Sequence, residues 1–224
     1  MEIKKRIRRF WRSSYLRIAP IFARVRQKKI CNSDFTIISN NCWGGVVYEW
    51  YGIKKMSPTV GMYFFADDFL KFISNLKYYL SLDIVMKTTK ESRRHERIKE
   101  LQQIDSPMGL LDDIEVIFLH YKDANVAKEK WDRRRKRVNY DNIIIKFSYM
   151  NDCTEEMLDE FDKMKFEGFS PKKIMFVNRP NLSFACSVYY PGYENEKQIY
   201  NDTFYFNSFF DLDLFINKGL IKQK

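Results

Sequence analysis

Three residues of this 224-residue sequence supply the side chains of a nucleophile, a base and an acid. Cys42 stands directly before a predicted helix that opens at Gly44 and Gly45, where unpaired N–H groups and the helix dipole can lower the pKa of a thiol. His120 follows a second apolar segment, and Asp141 is a carboxylate that could orient its imidazole. A thiol, an imidazole and a carboxylate brought together would form a nucleophile–base system.

Each of these residues also has a structural interpretation. A free cysteine after a strand is more often a small buried residue than a nucleophile. A histidine at the end of a strand faces either the edge or the core of its sheet. The sequence therefore leaves open whether Cys42 reacts or only packs.

Two groups of polar residues are candidates for binding a substrate. Asn40 and Asn41 follow the first strand and suit a sugar or a phosphate, although they can also cap the next helix. Lys130, Arg134 and Arg137 share one face of a predicted helix, and guanidinium groups at this spacing can bind a phosphate, a pyrophosphate or a carboxylate. The structural alternative is a solvated helix face that intrahelical ion pairs stabilise.

The elements that must position these residues alternate between strands and helices. Strands are predicted at 35–38, 114–119, 143–147, 173–177 and 183–190, and helices at 46–51, 68–82, 124–138 and 154–166. This alternation predicts a three-layer α/β fold, in which a mostly parallel or mixed sheet carries helices on both faces. Because the carboxyl ends of parallel strands share one edge of a sheet, we expect Cys42 and His120 to lie there together.

The positive charge of the protein is concentrated at its N-terminus. Residues 1–29 contain eleven of the 39 Lys and Arg residues and one acid, and the other 195 residues carry 28 basic and 28 acidic side chains. Apolar and basic residues alternate there with helical spacing, which predicts an amphipathic helix bound to an anionic membrane surface. A helix packed on protein and a non-specific nucleic-acid contact are the alternatives. The chain is therefore predicted to consist of two units, the basic helix at 1–29 and one α/β domain at 30–224.

Composition excludes several other classes of protein. The four cysteines are far apart and only two histidines are present, which argues against a zinc site or a disulfide framework and suits a reducing compartment. No apolar run reaches the roughly eighteen residues of a transmembrane helix, and the N-terminus lacks the apolar segment of a signal peptide. The aspartate pairs at 67–68 and 112–113 fit helix caps or turns, so no metal site is predicted.

Several of these segments together resemble a bacterial family built on a domain of unknown function. They are SNNCWGGVVYEWYG, the SPT at 57–59, the His120-Tyr121 pair and WDRRRKRVNYDN, within roughly residues 34–180. The family pattern carries over to Asn40, Asn41, Cys42, Trp43, Gly44, Gly45, Ser57, Pro58, His120, Trp131, Arg134, Arg137 and Asn139. Members of the family are commonly labelled exopolysaccharide or capsular polysaccharide biosynthesis proteins. The resemblance implies an α/β fold and a role in polysaccharide assembly, without fixing a reaction.

The residues and the resemblance together predict a transferase for acyl or glycosyl groups. Its acceptor would be a saccharide or a lipid-linked saccharide at the cytoplasmic face of the cell membrane, with the protein held peripherally through residues 1–29. Cys42 or the adjacent amides would act at the reacting centre, His120 as the base and Arg134 with Arg137 on a donor phosphate. The activated donor could be an acyl-CoA or a nucleotide sugar. We do not expect the protein to bind a specific nucleic acid. The alternative is a non-catalytic sugar- or partner-binding scaffold.

Overall fold

The computed structural model describes residues 21–224. Most of the predicted N-terminal basic helix, residues 1–20, lies outside the described residues. Residues 21–27 are helical. The strands are β1 (Thr36–Ser39), β2 (Val85–Thr88), β3 (Pro107–Leu111), β4 (Ile114–Ile117), β5 (Ile143–Ser148), β6 (Lys172–Val177) and β7 (Ser187–Tyr189). The helices that follow residue 27 are α1 (Trp43–Tyr51), α2 (Ala66–Ser74), α3 (Leu76–Ser81), α4 (His95–Glu100), α5 (Ala124–Arg135), α6 (Glu155–Lys163) and α7 (Leu212–Lys218).

A parallel sheet of four strands forms the centre of the fold, in the order β1-β5-β6-β7. Its strands are apolar on both faces, as expected for a sheet covered by helices on both sides. Ile145 and Phe147 face one apolar cluster, which includes residues of α2, α3, α5 and α6. Ile144 and Phe176 face a second cluster, which includes residues of α1 and α7. The predicted three-layer α/β fold is confirmed.

A second, antiparallel sheet of β2, β3 and β4 was not predicted. The segment at 114–119 was expected in the main sheet, but it forms β4 of this smaller sheet. Asp112 and Asp113 alone connect β3 to β4, and two residues can join neighbouring strands only as an antiparallel hairpin. Asp112 adopts the left-handed conformation, with φ 54°, that such turns require. The predicted turn at this aspartate pair is therefore confirmed.

Local capping signals explain where several helices begin. The Asp123 side chain accepts a hydrogen bond from Val126 N at the start of α5, and Thr154 accepts one from Met157 N at the start of α6. Asp67 does not cap its helix, because α2 already begins at Ala66. Its carboxylate instead forms an ion pair with Arg94.

Candidate functional site

A cavity of about 560 Å³ opens at the carboxyl ends of β1 and β5. This is the edge at which ligands bind in open α/β sheets. The cavity is lined by residues from the first turn of α1, the segment after β4, helix α5 and the loop that precedes α7. Five of the predicted site residues line it: Asn41, Cys42, Gly45, His120 and Arg134.

Cys42 lies at the entrance to α1 and is partly exposed. Its Sγ is 3.8 Å from Met62 O, a long contact for a thiol donor. Two of the first N–H groups of α1 are already capped, since Asn41 Oδ1 accepts from Trp43 N at 3.1 Å and Ser39 Oγ accepts from Gly44 N at 3.4 Å. The predicted thiol at a helix N-terminus is therefore present, but the polar residues before it act as helix caps.

His120 reaches the cavity by a route that the sequence did not indicate. It follows β4 of the antiparallel sheet, and β4 pairs with the segment between α1 and α2 through a bridge between Ile117 and Tyr63. Its backbone N–H donates to Gly61 O at 3.1 Å, and its side chain is exposed. His120 and Cys42 therefore line the same cavity, but not at one edge of a single parallel sheet as predicted, because their strands belong to different sheets.

Of the three basic residues predicted on one face of a helix, Lys130, Arg134 and Arg137, it is Arg134 that lines the cavity. Its Nη1 donates to Tyr121 OH at 2.6 Å and to Val60 O at 3.3 Å. Tyr121 OH also donates to Val60 O, at 2.9 Å, so the arginine is held by a fixed set of acceptors. Arg137 does not line the cavity, and its Nη1 lies 3.5 Å from Lys55 O.

Four of the predicted binding residues contribute to packing and not to the cavity. Asn40 is fully buried and donates through Nδ2 to Ser148 O at 3.2 Å. Trp43 is also fully buried. Ser57 Oγ accepts from Thr59 N at 3.1 Å. A Cβ at Gly44 would lie 3.0 Å from Ile37 Cγ2, so glycine allows α1 to approach β1 closely.

Asn139 and Asp141 lie at the opposite edge of the sheet. They directly precede β5, a strand of six residues, and the cavity lies beyond the carboxyl end of that strand. Six residues of strand span roughly 20 Å. Asp141 is exposed, and Asn139 Nδ2 donates to Asp34 O at 2.9 Å. The structure thus does not bring Asp141 to Cys42 and His120.

A buried ion pair between Lys146 and Asp202 adjoins the cavity. The sequence analysis did not predict this pair. Lys146 is fully buried in β5, and its Nζ donates to Asp202 Oδ2 and, at 3.1 Å, to Asn41 Oδ1. Burial lowers the pKa of Lys146, and the Asp202 carboxylate and the nearby Cys42 oppose that effect. Asp202 itself lines the cavity. A lysine inside the apolar run IIIKFS was the available signal, because a buried charge needs a partner.

Comparison with known proteins identifies the family. The model of a domain of unknown function, DUF1919, matches residues 14–217. The chain belongs to this DUF1919 family. An uncharacterised protein of Haemophilus influenzae is 30% identical over 184 residues, which cover 82% of this chain and 81% of that protein.

The DUF1919 match includes every residue that lines the cavity. The first thirteen residues of the basic N-terminal segment lie outside it. Within residues 21–224, no group of three or more His, Cys, Asp and Glu side chains is arranged to hold a metal ion. The candidate site of this DUF1919 member therefore consists of a thiol, an imidazole, a guanidinium and a buried carboxylate around one cavity.

Proposed function

We propose that the protein is a transferase of surface (exo- or capsular) polysaccharide biosynthesis, which moves an acyl or glycosyl group onto a saccharide. One observation carries the proposal: Cys42, His120 and Arg134 line the same cavity. These residues supply a nucleophile, a base and a cation for a donor phosphate. The polysaccharide context comes from the residues shared with the family and is part of the proposal.

Acyl transfer uses all three side chains. The Cys42 thiolate attacks the acyl carbon of an acyl-CoA, a thioester forms, and the CoA thiolate leaves and takes up a proton. A saccharide hydroxyl then gives its proton to His120 and attacks the thioester carbon. An ester to the saccharide forms, the bond between carbon and Sγ breaks, and Cys42 leaves as the thiolate, after which His120 releases its proton to solvent. Arg134 binds the donor phosphates. Glycosyl transfer would use the same base and cation, with a nucleotide sugar as the donor and without a bond to Cys42.

Intact-protein and peptide mass spectrometry after incubation with acyl-CoA donors tests the proposal. We expect one acyl group on Cys42, in an adduct that disappears when a saccharide acceptor is added. Burial raises the pKa of the Cys153 and Cys186 thiols, so these cysteines should stay unmodified.

The exposed Cys31 is the control for uncatalysed acylation. Labelling of Cys42 no faster than Cys31 would contradict acyl transfer. Release of the nucleotide from a nucleotide sugar, with no adduct on Cys42, would instead favour glycosyl transfer. If neither class of donor is consumed, the protein is the non-catalytic scaffold.

An apolar patch near the N-terminus supports the proposed position at the inner face of the cell membrane. Ile21, Phe22 and Val25 are 73%, 53% and 58% exposed, on a helical segment that also carries Arg24. Apolar side chains beside basic ones suit a helix lying in an anionic bilayer surface. No helix within residues 21–224 is long and apolar enough to cross a bilayer.

Replacing Ile21, Phe22 and Val25 together with asparagine should weaken binding to vesicles of phosphatidylcholine and phosphatidylglycerol by about tenfold or more, because these side chains would no longer be buried in lipid. Co-sedimentation measures the effect. The matched control carries the same change at three other exposed apolar residues, Val85, Ile104 and Leu220. Equal binding by both triple variants would show that this patch does not contact lipid.

A further inference from the structure

The two oxygens of the Asp202 carboxylate differ in their hydrogen bonds. Its Oδ2 accepts hydrogen bonds from Lys146 Nζ, from Ser148 Oγ at 2.6 Å and from Asn41 Nδ2 at 2.8 Å. Its Oδ1 is buried and has no hydrogen-bond partner among the described residues. One oxygen therefore fixes the side chain in the protein, and the other is an acceptor still without a donor.

Asp202 is fully buried and lines the cavity. A buried acceptor without a donor is unfavourable, and native proteins satisfy nearly all such groups. The donors on Oδ2 also fix the orientation of the carboxylate, so Oδ1 cannot turn towards them. A bound molecule in the cavity can supply the missing hydrogen bond.

Two further polar atoms on the cavity lining have the same property. Tyr63 OH and Gln103 Oε1 are buried and have no hydrogen-bond partner within residues 21–224, and both residues line the cavity. They come from the segment between α1 and α2 and from the segment after α4, far from Asp202 in the sequence. A ligand that satisfies all three atoms must present several donors in different directions.

The charges around the cavity favour neutral or anionic ligands. Lys146 balances Asp202, and Lys55 pairs with Glu49 at 2.7 Å. Arg134 adds a positive charge to the lining. A ligand that offers several donors as ammonium groups would be repelled, whereas hydroxyl groups donate without adding charge.

We propose that the cavity binds a saccharide through its hydroxyl groups, and that Asp202 Oδ1 accepts one of them and selects the sugar. This inference rests on the proposed function for the choice of a saccharide among polyhydroxylated molecules. Asp202 is then a specificity-determining residue, held in position by Lys146, Ser148 and Asn41. Tyr63 and Gln103 bind other hydroxyl groups of the same sugar.

The substitution Asp202→Asn tests the proposal. Three donors surround the position of Oδ2, so the amide oxygen should occupy it and the NH₂ group should take the place of Oδ1. An acceptor becomes a donor there, with almost no change in shape. NMR titration with methyl glycosides of glucose, galactose, mannose and N-acetylglucosamine should find at least one ligand of the full-length wild-type protein. We expect its affinity to fall by about tenfold or more in the variant.

Asp68→Asn is the matched control. Asp68 is another buried aspartate, paired with Arg93, and it does not line the cavity. Its replacement should leave glycoside affinity within about threefold of the wild type, since it touches no part of the proposed site. Tyr63→Phe removes a hydroxyl that makes no hydrogen bond within residues 21–224, so this variant should fold normally and still lose affinity.

Analogues of the bound glycoside identify the hydroxyl. The deoxy analogue that lacks the group bound by Oδ1 should bind the wild type and Asp202→Asn equally. The proposal is overturned if the wild type binds none of the glycosides, or if Asp202→Asn and Tyr63→Phe both bind them as the wild type does. Binding is measured without a donor, so sugar recognition that depends on Asp202 can stand even if no group is transferred. Conversely, an acyl adduct on Cys42 can form even if Asp202 has no effect on the sugar.

Discussion

Replacing Cys42 with alanine is expected to slow group transfer from acyl-CoA to a saccharide by roughly a thousandfold or more. The thiol is the only atom of this side chain that can form the proposed thioester, and no other described cysteine lines the cavity. Steady-state rates of CoA release in the presence of an acceptor measure the effect.

We expect the Cys42→Ala variant to fold normally, so that a slower rate reports the loss of the thiol. Cys42 is partly exposed, and the contact of its Sγ with Met62 O is long, at 3.8 Å. The glycoside affinity of Cys42→Ala should therefore match that of the wild type, whereas kcat collapses. Cys31→Ala is the matched control, since Cys31 is exposed and does not line the cavity. A Cys42→Ala rate within about tenfold of the wild type would exclude the thiol as the nucleophile.

Replacing Lys146 with methionine is expected to lower the free energy of unfolding by about 3–5 kcal/mol. Methionine fills most of the volume but leaves the Asp202 carboxylate buried without its counter-ion. In a protein of this size, such a loss corresponds to a fall in Tm of roughly 6–20 °C. Urea unfolding followed by circular dichroism measures it.

The double variant Lys146→Met, Asp202→Leu distinguishes the cost of an unpaired buried carboxylate from the cost of altered packing. Replacing both members of a buried ion pair with apolar residues is often neutral, so the double variant should recover part of the lost stability. The recovery should be incomplete, because Ser148 and Asn41 lose the carboxylate that accepts their hydrogen bonds. Lys163→Met removes an exposed lysine that pairs with Asp159, and it should cost less than about 1 kcal/mol. Similar losses for Lys146→Met and Lys163→Met would show that the buried pair does not stabilise the fold.

The sequence predicted the residues around β1 and α1 well, because neighbours in sequence fix them. An apolar strand, a short polar turn and two glycines give one local geometry, which places Asn41 and Cys42 at the carboxyl edge of the sheet. Local signals of this kind do not depend on strand order.

The parts that the sequence did not predict depend on long-range pairing. His120 reaches the cavity because a hairpin and the bridge between Ile117 and Tyr63 bring β4 beside the segment between α1 and α2. Asp141 immediately precedes a parallel strand, and only the strand direction shows that it lies at the far edge. Asp202 meets Lys146 across 56 residues, from a loop without apolar periodicity that could have indicated its position.

The separation between the two ends of the site has a consequence for protein synthesis. Asn41 and Asp202 are 161 residues apart in the chain and meet in one hydrogen bond. A ribosome adding about 5–20 residues per second needs on the order of ten seconds or more to make the intervening chain. Lys146 is made 56 residues before Asp202, so for roughly the last 3–11 seconds of that time β5 contains a lysine whose counter-ion has not been made. The central sheet can bury this lysine during those seconds only at a cost in free energy. The nascent protein therefore stays without a completed cavity until Asp202 has been translated.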